Sequence, residues 1–311
     1  MRARVALIAA GLLLAVSVAS TASAAGYSTI PVPIAVSPGH VCTRTLINGL
    51  NNAGTAIGTE YCGRTRVFLR SATGTVTFYR LPANVAAYTS AANIASNGDI
   101  AVAGQKTATG PVTSYIVTEA DKLIEVKDPK AHGHGTFVNA INRKDVAVGY
   151  YCTNARCTRY TAFIYKDGAY RDFAPPALRG PPGTQLTGID DVGAIAGFFF
   201  THGGVARGFI KSGHTLEVID SARHVGKQRG AGTFLLGMAD ASVNVCGMTI
   251  DRHGRARGWV EIDGVDHVID PHSGAKHPFS QVLAINRAGE FGGGSTLRAS
   301  RHLEGFLGAV G

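Results

Sequence analysis

Beyond residue 18 the chain has no apolar run long enough to cross a membrane, and it shows almost no apolar spacing of helical period. A membrane span needs about 20 apolar residues, and an amphipathic helix needs apolar residues at a period of about 3.6. Charge is also scarce, since Asp, Glu, Lys and Arg make up 16% of the residues. With membrane and helical-bundle classes disfavoured, the abundant Gly, Thr and Val favour an all-β fold.

Signatures of common chemistry are missing too. The sequence contains no G-x-S-x-G nucleophile motif and no phosphate-binding loop. No cofactor and no metal are therefore predicted. The sequence leaves open whether the protein is an enzyme.

The first residues have the pattern of an export signal. Arg2 and Arg4 precede an apolar stretch from Val5 to Val18, and the small residues 22–24 follow. We predict a secretory signal peptide over residues 1–24, a secreted or periplasmic protein without a membrane span, and one domain over residues 25–311. The net charge of +9 falls only to +7 without the two arginines, so anionic partners are favoured.

The most informative feature is a repeat. Similar turn segments begin at Leu50, Ile94, Ile141, Ile189, Met238 and Ile285, at steps of 44 to 49 residues. A short strand centred on an aromatic residue follows each one: Phe68, Tyr115, Phe163, Phe209, Trp259 and Phe306. A further strand closes each of the first five repeats. We predict four strands, A to D, in each repeat.

The sixth repeat lacks its D strand, whereas an unassigned strand, residues 27–33, precedes the first repeat. Pairing the two would remove the exposed edges of an open array. We therefore predict a six-bladed β-propeller of four-stranded blades, closed by the strand at residues 27–33 completing the last blade. A parallel β-helix is the alternative, but its coils are usually shorter.

The segments "GTFVNAINRKDVAVGYY" and "FAPPALRGPPGTQLTGIDDVGAIAGFFF" resemble the bacterial extracellular repeat family called HAF. Its repeat runs Gly-Thr, Ile-Asn, a turn, a Val/Ile-Gly strand and a His-Ala-Phe or His-Gly-Phe strand. The resemblance covers nearly the whole chain after the signal, although the His of the tripeptide is replaced, for example by Thr161 and Arg207. It implies an exported, propeller-like protein and assigns no catalytic residue.

Asp190 and Asp191 lie side by side in an apolar run, as an acid/base pair would. The repeats align them with Asn, Ser, Ala or Arg at a turn that Gly follows, so we interpret them as turn residues whose side chains accept backbone hydrogen bonds. The same register assigns charge to two faces. The basic face carries the B-to-C and D-to-A connections with most Lys, Arg and His residues, and the acidic face carries the A-to-B and C-to-D turns.

The D-to-A connections should surround the mouth of the central channel, because strand A is innermost. We predict that they bind an anionic glycan, favouring acidic polysaccharide, through Arg, Lys and His side chains. A hydrolase or lyase of such a polymer, with His132 or His272 as base, is the alternative. The candidate ligand-binding residues are His132, His134, Arg179, Arg223, His224, Arg229, His272, Lys276 and His277.

Two other ligand classes are less favoured. The i, i+2 spacing of His132 and His134 would point both rings to one side of a strand, so His224 or His272 could complete a metal site, but flexible Gly and positive charge surround them. Nucleic acid is disfavoured because few aromatic residues interleave with the basic ones.

The cysteines predict disulfides in an oxidising compartment. Cys42 and Cys62 lie almost equidistant from the turn that begins at Asn51, and Cys152 and Cys157 flank a four-residue loop. We predict that each pair is bonded. Cys246 is left over and is interpreted as a small buried thiol.

Overall fold

The computed structural model describes residues 26–32, 42–175, 178, 180–220, 225–240, 242–272, 279–296 and 302–311. Over these residues the regular structure is 24 strands and a short 3₁₀ turn at Pro129–Ala131. No helix in this part of the chain is long and apolar enough to span a membrane. The predicted all-β class is confirmed. The predicted signal peptide lies outside the described residues.

The first twelve strands are β1 (Tyr27–Pro31), β2 (Arg44–Leu50), β3 (Ala56–Tyr61), β4 (Thr65–Arg70), β5 (Val76–Tyr79), β6 (Tyr88–Ile94), β7 (Ile100–Gln105), β8 (Thr113–Val117), β9 (Leu123–Val126), β10 (Thr136–Ile141), β11 (Ala147–Cys152) and β12 (Tyr160–Lys166). The others are β13 (Ala169–Phe173), β14 (Thr184–Ile189), β15 (Ile195–Phe200), β16 (Ala206–Ser212), β17 (Thr215–Ile219), β18 (Gly232–Met238), β19 (Val245–Ile250), β20 (Ala256–Ile262), β21 (Val265–Ile269), β22 (Ser280–Ile285), β23 (Glu290–Thr296) and β24 (Leu303–Val310).

The strands pair antiparallel in consecutive groups of four. Groups 1 to 5 are β2–β5, β6–β9, β10–β13, β14–β17 and β18–β21. In group 6, β22, β23 and β24 take β1 as the fourth strand, from Tyr27 opposite Val310 to Pro31 opposite Phe306. The N-terminal strand thus pairs with the last group, as its sequence position suggested.

The groups pack face to face around a common centre. Each of the first strands β2, β6, β10, β14, β18 and β22 contacts those of the two neighbouring groups, and β22 contacts β2. One cavity is lined by the ends of all six, from Leu50 to Ile285. Hydrogen bonds join neighbouring groups at single positions, such as Arg44 opposite Leu303 and Ala206 opposite Gly232. The groups therefore meet mainly through side chains.

The aromatic residues of the third strands form the core between groups. Phe68, Phe163, Phe209 and Trp259 are almost completely buried. Phe163, for example, packs in one cluster with Ile116 and Val126 of the preceding group. Their role is packing.

Two other repeated features have structural causes. A β-bulge interrupts the pairing of every first strand, at Asn48, Ala92, Asn139, Thr187, Leu236 and Leu283. In addition, a Thr or Ser at the start of a first strand forms a hydrogen bond with the chain that precedes it. Thr136 Oγ1 accepts the N–H of Asp128, and Ser280 Oγ donates to the carbonyl of Ile269.

Both predicted disulfides are confirmed. Cys42 bonds to Cys62 just outside the β2–β3 pair, and Cys152 bonds to Cys157 across the connection from β11 to β12. Cys246 is a free, fully buried thiol, and burial raises its pKa. A raised pKa keeps a thiol protonated and unreactive.

Candidate functional site

The acidic face is built from the turns between first and second strands. Asn51, Asn142 and Asp190 each belong to one such turn. The Oδ1 atom of each accepts two backbone N–H groups of its own turn. Asp190 binds those of Val192 and Ala194, so its carboxylate is occupied in holding its own turn. The interpretation of Asp190 as a turn residue is confirmed.

The second residue of each turn links neighbouring groups. Asp191 Oδ1 accepts the N–H of Arg143, and Asp240 Oδ1 accepts the N–H of Asp191. Asp240 Oδ2 also accepts the hydroxyl of Ser96 and the side-chain amide of Asn52, each at 3.4 Å. These contacts join groups 1 and 2 to group 5. The inner cavity is thus crossed by side-chain hydrogen bonds at the acidic face.

The Asp191 carboxyl has a raised pKa. Burial and a hydrogen bond with the Asp240 carboxylate raise the pKa of Asp191, and the hydrogen bond and charge of Arg143 only partly oppose this. Asp191 lies at the edge of the inner cavity, where its contacts with Arg143 and Asp240 link neighbouring turns.

Exposed cations are frequent among the described residues that the repeat register assigns to the predicted basic face. The acidic residues assigned to it are partnered: Glu60 with Arg66, Asp220 with Arg207, Asp251 with Arg255, Asp270 with Arg257, Glu304 with His272, and Asp128 with the N–H of Lys130. The exposed cations that belong to no ion pair in the described part of the chain are Arg44, Arg64, Lys106, Arg156, Arg159, Lys227, Arg229 and Arg252. Among the described residues, these eight cations therefore have no ion-pair partner.

Four of the nine candidate ligand-binding residues can be placed. His132, His134, Arg229 and His272 all lie in connections that lead into a first strand. His132 and Arg229 are exposed, and His134 is half-buried. No hydrogen bond or ion pair links the four among the described residues. Arg179, Arg223, His224, Lys276 and His277 lie outside those residues, so a joint site stays a prediction.

His272 has structural partners. Its Nδ1 lies 2.8 Å from Ser295 Oγ, and its Nε2 lies 3.8 Å from Glu304 Oε2. Burial raises the pKa of Glu304, while the charge of His272 opposes that shift. Ser295 is almost fully buried, so a ligand cannot reach its hydroxyl directly. His272 thus attaches the connection from group 5 to the strands of group 6.

The expectation that His132 and His134 share one side of a strand is wrong. Asp128 caps the 3₁₀ turn Pro129–Ala131, and His132 ends it in the left-handed region, with φ of 47°. The two rings therefore do not follow a strand alternation. Among the described residues, neither His belongs to a group of three potential metal ligands.

The connection at Asp251 has a pH-dependent hydrogen-bond network. Its carboxylate accepts the N–H groups of His253 and Arg255 and the Nε of Arg255 at 2.7 Å. Burial opposes ionisation, but the hydrogen bonds from Arg255 and His253 outweigh it and lower the pKa of Asp251 to about 2. Since the folded pKa lies below the unfolded value, the stabilisation is present above about pH 4 and is lost as the pH falls toward 2.

Asp251→Asn is expected to lower the free energy of unfolding by about 1–2 kcal/mol at pH 7 and by much less at pH 2. Urea denaturation at the two pH values measures the difference. The control is Asp220→Asn, which removes an exposed pair with Arg207 and should cost less than about 0.5 kcal/mol. An equal loss for Asp251→Asn at both pH values would contradict this account.

Sequence reasoning missed the pockets of the basic face. One lies between groups 3 and 4, where Arg159, Tyr160 and Thr161 face Pro181 and Pro182. A larger one, of about 860 Å³, lies where group 1 meets groups 2 and 6 and includes Arg44, Asn48 and Tyr61. The repeat register put Arg44 on this face. Nothing in the pattern marked Asn48 or Tyr61, because the residue type at each of these positions varies between repeats.

No family model matches the sequence, and no curated protein sequence matches it. The resemblance to HAF repeats stays a prediction. Solved structures do share the fold. AofleA from Arthrobotrys oligospora superposes with a TM-score of 0.50 at 9% identity, over 88% of this chain and 89% of that one.

Two other solved structures are similar. The lectin of Aleuria aurantia, described as a six-bladed β-propeller with a novel fucose recognition mode, has a TM-score of 0.49 at 12% identity, over 85% of this chain and 91% of that one. TolB from Acinetobacter baumannii has a TM-score of 0.49 at 8% identity, over 78% of this chain. The match spans 59% of the length of TolB.

Proposed function

We propose that the protein is an exported six-bladed β-propeller whose basic face binds an anionic extracellular or envelope ligand, with acidic polysaccharide as the favoured class. The six groups of four strands would be its blades, and β1 would close the ring by completing the last one. The contacts between successive first strands and the pairing of Tyr27–Pro31 with β24 support this closure. The two disulfides fit an oxidising compartment.

One observation carries the binding proposal. On the basic face the carboxylates are engaged by nearby cations or backbone N–H groups, whereas eight cations stay exposed without an ion pair in the described part of the chain. Ordinary solvated surfaces mix both signs of charge. Exposed arginines also match carboxylate and sulfate groups through paired hydrogen bonds. An extended polyanion would meet several of them at once.

A hydrolase or lyase of the same polymer remains the second candidate, with the exposed His132 as the group available for proton transfer. The test incubates the protein with acidic and matched neutral polysaccharides and measures both retention and new reducing or unsaturated ends. Retention of acidic polymers without new ends supports binding alone. Product that disappears in His132→Ala favours the enzyme. Retention that is absent, or unaffected by salt, overturns the charged-face proposal.

A further inference from the structure

The pocket between groups 1, 2 and 6 differs from the rest of the basic face in its size and its lining. Its volume of about 860 Å³ lies within the range of small-ligand sites. Thr59, Ser90 and Thr296 line it together with Arg44 and Tyr61, and no Asp or Glu is among its lining residues in the described chain. Thr59 Oγ1 accepts the N–H of Ala91, and Thr296 Oγ1 accepts that of Phe279. A cation in a polar lining without a carboxylate suits a polar anion.

Arg44 and Tyr61 lie on paired strands at the rim. Arg44 is opposite Tyr61 in the β2–β3 register. Arg44 is exposed and belongs to no ion pair in the described chain, and Tyr61 keeps 46% of its surface exposed. An exposed ring beside a free guanidinium offers an apolar face for a sugar ring and a fork for its acidic group.

We propose that this pocket binds one anionic sugar residue of the glycan, with its carboxylate or sulfate on Arg44 and its ring against Tyr61. The inference rests on the proposed function and specifies where one unit of the polymer sits. The cations outside the pocket then attract the rest of the chain without selecting a sugar.

The test measures binding of three oligosaccharides of equal length by calorimetry: a hexuronate, a sulfated one and a neutral one. Arg44→Gln is expected to lower the affinity for the preferred acidic oligosaccharide by about tenfold or more. The affinity for the neutral oligosaccharide should not change. Comparing the hexuronate with the sulfated compound distinguishes the two acidic groups. The matched control Arg64→Gln removes an exposed cation of the same face outside the pocket and should change affinity less than about threefold.

Tyr61→Leu separates a binding role from a structural one. Tyr61 is exposed, so the variant should keep its Tm. It should nevertheless weaken acidic binding by about threefold or more, because the ring against which the sugar packs is lost.

Two outcomes overturn the inference in distinguishable ways. Wild-type affinity in the pocket variants refutes the pocket and leaves the basic-face proposal standing. Failure of the unmodified protein to bind any acidic oligosaccharide or polysaccharide refutes both.

Discussion

Replacing Gly149 with alanine is expected to lower the free energy of unfolding by at least about 3 kcal/mol or to prevent folding. A Cβ at this position would lie 1.8 Å from the Phe137 carbonyl oxygen on the paired strand β10. The obstacle is backbone and not a flexible side chain, so relief requires the first two strands of group 3 to separate. The equivalent glycines Gly197, Gly247 and Gly293 face carbonyl oxygens at 1.9 to 2.1 Å. Thermal and urea denaturation measure the loss.

Gly203→Ala is the matched control. It lies in an exposed turn with ordinary φ, and its nearest neighbour would be the Thr201 hydroxyl at 3.8 Å. This change should alter stability by less than about 0.5 kcal/mol. Equal effects of the two substitutions would show that close strand approach is not what keeps glycine in the second strands.

Removing the N-terminal strand should have the second large effect. Deleting the chain through residue 32 exposes the edge of β24, removes the ring of Tyr27 from Phe291, and breaks the bond from the Asp270 N–H to the Tyr27 hydroxyl. Val32 is also buried and donates its N–H to the Gly305 carbonyl. We expect a loss of several kcal/mol, and self-association through the freed edge. Denaturation and light scattering measure the two effects.

A peptide of residues 26–33 added in trans should restore stability to the truncated protein, because an extended peptide can add a strand to an open edge. A scrambled peptide should not. Tyr27→Phe, which removes only the hydroxyl, should cost about 1 kcal/mol. A truncated protein as stable and monomeric as the full chain would contradict closure by β1.

The repeats made much of this architecture predictable. The turns and the aromatic third strands recur at near-constant steps, so six copies identified positions that a single copy leaves ambiguous. Asp190 shows the benefit, because its alignment with Asn51 and Asn142 identified it as a turn residue.

Other features are contacts between residues that are far apart in the sequence, and the repeat pattern does not predict them. Asp240 accepts the hydroxyl of Ser96, which is 144 residues away. The bond between His272 and Ser295 likewise joins a connection to another group. The i, i+2 spacing of His132 and His134 predicts an extended segment. The structure instead has a capped 3₁₀ turn that ends at His132, so the two rings do not share one side of a strand.

The central claim is that the exposed cations of the basic face bind an acidic glycan. The most direct measurement compares two triple variants for their affinity toward one acidic polysaccharide at low and physiological salt. Arg64, Arg156 and Arg229 are changed to Gln on the basic face, and Lys122, Lys144 and Lys166, all exposed, are changed to Gln on the acidic face. We predict that the first variant loses at least about tenfold in affinity and most of the salt dependence, while the second binds like the unmodified protein. Equal losses in both variants, or none in the first, would contradict the account.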